Sequence, residues 1–99
     1  MAGRTHGSQI VPTSTSVAIG IAGQAKMVYS VTLISGATAG VLSLKNGSTS
    51  GGTLYLSGTG TINQGVTFNY SEGFFFPGGC FAATDSNTTS ILVSYEEFA

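Results

Sequence analysis

The chain contains few charges and few of the side chains that carry out chemistry. Its 99 residues include three Lys or Arg, four Asp or Glu, one His, one Cys and no Trp, with a net charge of -1. Three basic residues cannot neutralise a run of phosphates, so we expect no nucleic-acid partner. Most catalytic and metal-binding combinations also lack their residues, so we expect no enzyme, no metal and no cofactor.

Disulfides and membrane spans are also excluded by what is missing. Cys80 is the single cysteine, so no disulfide can form within the chain. The longest apolar run, at 17–21, is far shorter than the roughly 18 residues that a membrane-spanning helix needs. No secretory signal is visible at the start, so we expect neither a membrane partner nor export.

Alternation of apolar and polar residues dominates the chain, whereas helical periodicity is nearly absent. Seven or eight short strands separated by Gly-rich turns are typical of an all-β fold, here a single small jelly-roll-like β-sandwich of antiparallel strands. We divide the chain into an extended N-terminal arm at 1–16 and a β-sandwich domain at 17–99. The predicted strands lie at 16–22, 26–35, 41–45, 53–57, 66–70, 81–83 and 91–95, with a short edge strand at 9–11.

A hairpin is predicted on either side of the Gly-rich loop at 46–52. In this interpretation Leu42 and Leu44 point to the same face as Leu54 and Leu56. Tyr55 is then opposite in phase to its two leucine neighbours, so we expect its ring to be exposed.

Three consecutive aromatic residues, Phe74, Phe75 and Phe76, form the most informative cluster. Successive side chains of a strand point to opposite faces, so at least one ring must point away from the core. The cluster is either part of a central strand covered on both faces or an anchor at an interface between subunits. Both interpretations stay open at this point.

The N-terminal arm is a second candidate interface. Extended arms can add a strand to the sheet edge of a neighbouring chain through main-chain hydrogen bonds. Gln9, Ile10 and Val11 form the segment suited to this role. The alternative is an arm with no partner.

Three other features have plainer explanations. Cys80 and His6 lack an acidic group to orient them, so a structural thiol is favoured over a catalytic pair. Asp85 lies in a turn sequence and lacks the further acids of a calcium loop. Glu96 and Glu97 would face opposite ways on a strand, which predicts a solvated tail or a salt bridge to a neighbouring chain.

Four segments carry a resemblance to a known class of protein. They are KMVYSVTLISG at 26–36, GVLSLKNGSTSGGTLYLS at 40–57, FFFPGGCFAA at 74–83 and TTSILVSYE at 88–96. Together they resemble the small β-sandwich virion structural proteins of tailed bacteriophages, especially head decoration (cement) proteins of short-tailed, cyanophage-like viruses.

The resemblance implies a capsid decoration protein that bridges and stabilises subunits of the major capsid protein. Such a protein would be made in the bacterial host cytoplasm and would lie on the outer surface of the capsid. It transfers no functional residue to this chain. One alternative is a tail, neck or fibre component, and another is a glycan-binding β-sandwich that uses tyrosines to bind a host-surface glycan.

The composition favours permanent assembly for a separate reason. Soluble monomers protect the edges of their sheets with Lys, Pro or inward-pointing charges, and this chain has two lysines and two prolines for all its strands. Its edges are therefore expected to be covered by other chains. We expect a symmetric homo-oligomer, most simply a homotrimer, seated on a shell.

Overall fold

The computed structural model describes residues 4–98, which form eight strands and no helix. The strands are β1 (Arg4–Pro12), β2 (Ser16–Ala18), β3 (Lys26–Ser35), β4 (Val41–Asn46), β5 (Thr53–Thr59), β6 (Gly65–Phe76), β7 (Cys80–Thr84) and β8 (Thr88–Phe98). The expected all-β sandwich is therefore confirmed.

Two four-stranded antiparallel sheets pack against each other. The long sheet has the order β1-β8-β3-β6, and the short sheet has the order β2-β7-β4-β5. The hairpin β4–β5 lies within the short sheet, and the other consecutive strands lie in opposite sheets. This is the arrangement of a jelly roll.

The core lies between the sheets and is built by alternation. On β3, Val31 and Leu33 point inward beside Ile91 and Val93 of β8, and Leu44 of β4 faces them from the short sheet. Each of these side chains is essentially inaccessible to water. The other fully buried apolar residues are Val11, Ile19, Val28, Leu42, Phe76, Cys80 and Ala82.

The predicted arm is extended, but most of it belongs to the sandwich. Residues 4–12 form β1, which pairs with β8 of the same chain along its whole length. Val11 explains this placement, because its side chain is fully buried in the core while its neighbour Ile10 points outward. Residues 1–3 of the predicted arm lie outside the described residues.

The first strand of the predicted domain is shorter than expected. It ends at Ala18 and not at residue 22, because Gly20 and Gly23 adopt positive φ angles of 60° and 82°. These angles turn the chain into the loop that leads to β3. Ile19 nevertheless remains fully buried within the loop.

The predicted register of the β4–β5 hairpin is wrong for one leucine. Leu56 lies opposite Leu44 and faces the core side, but Leu54 lies opposite Lys45 because Tyr55 is an extra residue at a β-bulge. An extra residue in a strand places the residues on its two sides on opposite faces. Leu54 is consequently 54% exposed.

Candidate interaction surfaces

Each sheet has two outer strands whose edges can pair with another chain. They are β1 and β6 in the long sheet, and β2 and β5 in the short sheet. Three of these edges are closed or interrupted by a feature of the chain, and β1 is the exception. Its nine residues pair with β8 without any shift in register.

The edge of β6 is interrupted by a large bulge. As β3 advances from Val28 to Ser30, the paired residue on β6 moves from Phe74 to Asn69, so residues 70–73 lie between the paired segments. Gly73 within the bulge has a φ of 82°, and a Cβ there would collide with the side chain of Met27. The bulge prevents a regular ladder along this edge.

The edge of β5 is interrupted by the bulge at Tyr55, whose ring packs against aromatic rings of β6. At the bulge, the ring of Tyr55 lies 5.3 Å from the ring of Phe76 and 6.0 Å from that of Phe74, and Tyr70 lies 6.1 Å from Phe74. We call these four residues the aromatic cluster. The expectation of an exposed Tyr55 ring is only partly met, because 37% of the residue is accessible and its ring contacts the cluster.

The edge of β2 is closed by the side chain of Gln9. Its amide Nε2 donates to the carbonyl of Ala18 at 3.2 Å, and its Oε1 accepts from the N–H of Gly20 at 2.8 Å. The amide thus contacts both a donor and an acceptor of the backbone, as a neighbouring strand would. This side chain joins the two sheets on the side of β1 and β2.

A buried ion pair fixes the loop between β2 and β3. The side chain of Lys26 is fully buried, and its Nζ lies 2.9 Å from Oε2 of Glu97. The same ammonium donates to the carbonyls of Ile21 at 2.8 Å and Gln24 at 2.6 Å. The N–H of Ile21 also donates to Oε2 of Glu97 at 2.7 Å. We call Gln9, Lys26 and Glu97 the polar clamp.

Two opposing effects act on Glu97. Desolvation by burial raises its pKa, but the hydrogen bonds from the Ile21 N–H and the Lys26 ammonium, together with the charge of Lys26, outweigh it. The pKa of Glu97 is therefore lowered, and the carboxylate is ionised at neutral pH.

Glu96 points to the opposite face from Glu97. Its Oε2 lies 3.1 Å from Nε2 of His6, and its Oε1 accepts a hydrogen bond from the Tyr29 hydroxyl at 3.2 Å. Both glutamates are thus mostly buried and have partners in their own chain. The expectation that they form a solvated tail is wrong.

Asp85 organises a turn. Its Oδ1 accepts hydrogen bonds from the Val41 N–H at 3.2 Å and from the Thr88 hydroxyl at 2.8 Å. Desolvation raises the pKa of Asp85, but these bonds lower it by more, so the net shift is downward. A shallow cleft of about 290 Å³ nearby has no charged side chain in its lining. The predicted turn role of Asp85 is confirmed.

Cys80 and His6 are not brought together. Cys80 points into the core from the short sheet, and burial raises the pKa of its thiol to about 12, an effect that the charge of Lys26 only partly offsets. His6 lies on the long sheet with a side chain that is 79% exposed. A protonated, inaccessible thiol is a poor nucleophile.

The six predicted interface residues divide into outward and inward side chains. Phe76 is fully buried and Phe74 packs against the core, whereas Phe75 between them is 46% exposed and its ring lies 5.9 Å from that of Phe98. The same alternation separates Ile10, which is 67% exposed, from Gln9 and Val11.

An exposed aliphatic patch occupies the outer face of the long sheet. Ile10 on β1 pairs with Leu92 on β8, and Ile34 on β3 lies diagonally beside Leu92. Leu92 and Ile34 are 42% and 44% exposed. Sequence reasoning missed Leu92, although it is apolar and out of phase with the core residues Ile91 and Val93. We call Ile10, Ile34 and Leu92 the aliphatic patch.

The described part of the chain offers neither a metal-binding group nor a membrane-spanning helix. Across residues 4–98, no three His, Cys, Asp or Glu side chains are grouped so that they could hold a metal ion. No helix long and apolar enough to span a membrane is present in this part of the chain either.

Comparison with known proteins gives a fold likeness and no family. No family model matches the chain, and no curated protein matches it. A subunit of Bacillus endospore appendages, described as disulfide-linked pili, superposes with a TM-score of 0.53 and 9% identity, covering 98% of this chain and 86% of that one. The shell of the extra small virus of the prawn Macrobrachium rosenbergii gives 0.43 and 8%, covering 98% and 78%. The likeness to the pilus subunit is a likeness of fold.

Proposed function

We propose that this protein is a non-enzymatic structural subunit, and specifically a virion decoration protein that binds the outer surface of a capsid and stabilises it. The observation that carries the proposal is the contrast between the inside and the outside of the sandwich. The chain holds Lys26, Glu96 and Glu97 in internal contacts, and it leaves Ile10, Phe75 and other large apolar side chains exposed.

This contrast favours a protein that is covered by others. An exposed isoleucine or phenylalanine gives up roughly 1.5–3 kcal/mol of burial free energy unless a partner covers it. Exposed apolar side chains occur on both sheets, including Ile34, Leu54 and Phe75. A protein that binds the assembled shell but not its separate subunits stabilises the shell by mass action.

The binding that we propose does not use a disulfide. The neighbouring pilus structure is described as disulfide-linked, whereas the single cysteine of this chain is buried in the core. Apolar contacts and main-chain hydrogen bonds are the interactions that the described surface offers. We propose Ile10 and Phe75 as the side chains that anchor the contact with the major capsid protein.

The test is the copy number of the protein in purified virions, measured by quantitative peptide mass spectrometry relative to the major capsid protein. We expect about one copy of the protein for each copy of the major capsid protein, or a simple fraction of that number. A handful of copies per particle would move the protein to the tail, neck or fibre. Complete absence from particles would refute the virion role.

A second test addresses the anchors. Purified protein is added to particles that lack it, and the bound fraction is measured after sedimentation. Phe75→Ser should reduce binding strongly, because its ring is exposed on the outer face. Glu72→Gln, on the exposed bulge of β6, is the matched control and should bind as the unmodified protein does. Equal binding by Phe75→Ser would remove Phe75 from the interface.

A further inference from the structure

We propose that β1 is a self-association edge, and that two copies of the chain pair β1 with β1 in antiparallel orientation about a two-fold axis. The proposal does not depend on a virion, since it concerns the isolated protein. The other three edges are interrupted or closed. The bulge at 70–73 interrupts β6, the bulge at Tyr55 interrupts β5, and Gln9 closes the short β2.

The edge of β1 is regular where the others are not. It makes nine consecutive residue pairs with β8, and no other strand within residues 4–98 pairs with its second side. A long, regular edge of this kind is a template for another strand. Its central residues, Gly7 to Val11, carry no charge.

The direction of the backbone groups can be read from Pro12. Proline has no N–H, so within a ladder its nitrogen faces the free side, and the Pro12 carbonyl accepts from the Thr84 hydroxyl at 2.6 Å. Backbone groups alternate in direction along a strand. His6, Ser8 and Ile10 therefore direct their N–H and C=O groups away from β8, into the open edge.

These three residues fit a two-fold pair centred on Ser8. Ser8 then lies opposite Ser8 of the second copy, and His6 lies opposite Ile10 in both directions. Each such pair exchanges two main-chain hydrogen bonds. The two long sheets become one continuous eight-stranded sheet.

Charge and symmetry favour the second copy as the partner. An antiparallel pair of identical strands is self-complementary and closes on itself, so it needs no second kind of surface. It also places the two His6 side chains on either side of the axis, whereas parallel pairing would set them side by side. A trimer built on β1, the state expected from the composition, would require β1 to pair with a different and interrupted edge.

The experiment is sedimentation velocity of the isolated protein over a range of concentrations. A dimer is expected, and Ser8→Pro should raise its dissociation constant about tenfold or more, because it removes a central donor and introduces a ring at the contact. The Ser8 N–H does not face β8, so the fold should tolerate the proline. Ser8→Ala keeps the N–H and is the matched control. It should dimerise as the unmodified protein does.

A cross-link provides a readout that does not depend on tolerance of the proline. Ser8→Cys should give a covalent dimer with a short bismaleimide, whereas Ser57→Cys on the exposed edge of β5 should not. The unmodified protein should stay uncross-linked because Cys80 is buried. A monomer at all concentrations, a trimer, or a dimer that Ser8→Cys does not cross-link would overturn the proposal. None of these outcomes bears on the copy number in virions.

Discussion

The two flanks of the sandwich are closed by different chemistry. On the side of β5 and β6, four aromatic rings fill the space between the sheets. On the side of β1 and β2, the polar clamp of Gln9, Lys26 and Glu97 joins the sheets through hydrogen bonds and an ion pair. Packing between rings does not depend on the direction of backbone donors and acceptors, so this flank accommodates strands that carry bulges. The polar clamp requires hydrogen-bond donors and acceptors at fixed positions. The neighbouring β1 accordingly has no bulge.

The aromatic flank should show the largest loss of stability. Phe76→Ala should lower the free energy of unfolding by about 3–5 kcal/mol, because a fully buried ring would leave a cavity beneath Tyr55 and Phe74. Phe75→Ala, one residue away on the exposed face, is the control and should cost less than about 1 kcal/mol. Urea denaturation measures both. Equal losses of unfolding free energy in the two variants would show that the buried ring of Phe76 stabilises the fold no more than the exposed ring of Phe75.

The polar clamp should depend on its ammonium group. Lys26→Met keeps an unbranched apolar side chain but removes the ammonium, so Glu97 loses its ion pair and the carbonyls of Ile21 and Gln24 lose the Lys26 donor. We expect a loss of about 3 kcal/mol, at the low end for a broken buried pair because Glu97 is slightly exposed. The same urea titration applies, with Lys45→Met as the control, since Lys45 bonds one exposed carbonyl. A loss of unfolding free energy smaller than that of Lys45→Met would show that the Lys26–Glu97 pair does not stabilise the fold.

Gln9 should contribute less than Lys26. Gln9→Ala removes the partners of the Ala18 carbonyl and the Gly20 N–H, and we expect it to cost about 1–2 kcal/mol. Hydrogen exchange should rise at Gly20 in particular. Ser8→Ala, on the outer face of the same strand, leaves both bonds intact and should change neither quantity. Unchanged exchange at Gly20 in Gln9→Ala would contradict the role of the amide.

Acid should weaken the polar flank gradually. The folded pKa of Glu97 lies below its ordinary value, so its stabilisation is present above that value and is lost as the pH falls through the folded pKa. The melting temperature should therefore decline from about pH 5 towards pH 3. Glu97→Gln should start from a lower melting temperature and decline less steeply. A decline as steep as that of the unmodified protein would assign the acid sensitivity to other groups.

The sequence predicted the sandwich well because alternation reports burial directly. The bounds of β3 were predicted correctly at 26–35, although a register shift between Val28 and Ser30 interrupts its alternation and buries Val28 together with Val31 and Leu33. The split among Phe74, Phe75 and Phe76 follows from the two-residue repeat of a strand. The bulge at Tyr55 was not predicted, because an extra residue in a strand leaves no mark in local alternation.

Long-range polar contacts were also beyond sequence reasoning. Gln9 bonds Ala18 at the end of β2 and Gly20 in the following loop, 9 and 11 residues away, and Glu97 accepts from the N–H of Ile21, 76 residues away. Only the complete fold brings these groups together. Lys26 was interpreted as an ordinary strand residue, and the sequence does not reveal the carbonyls and the carboxylate that hold its fully buried ammonium. A polar residue in phase with core residues, as Lys26 is with Val28, was the available signal.

The placement of the charges has a consequence for the conditions in which an assembly could persist. Added salt screens interactions between exposed charges and has little effect on buried pairs or apolar contacts. An interface built on the aliphatic patch, Phe75 and the backbone of β1 should therefore form as well in sea water as in dilute buffer. The free energy gained by burying apolar surface becomes smaller on cooling. Low temperature should therefore weaken such an assembly more than high ionic strength does.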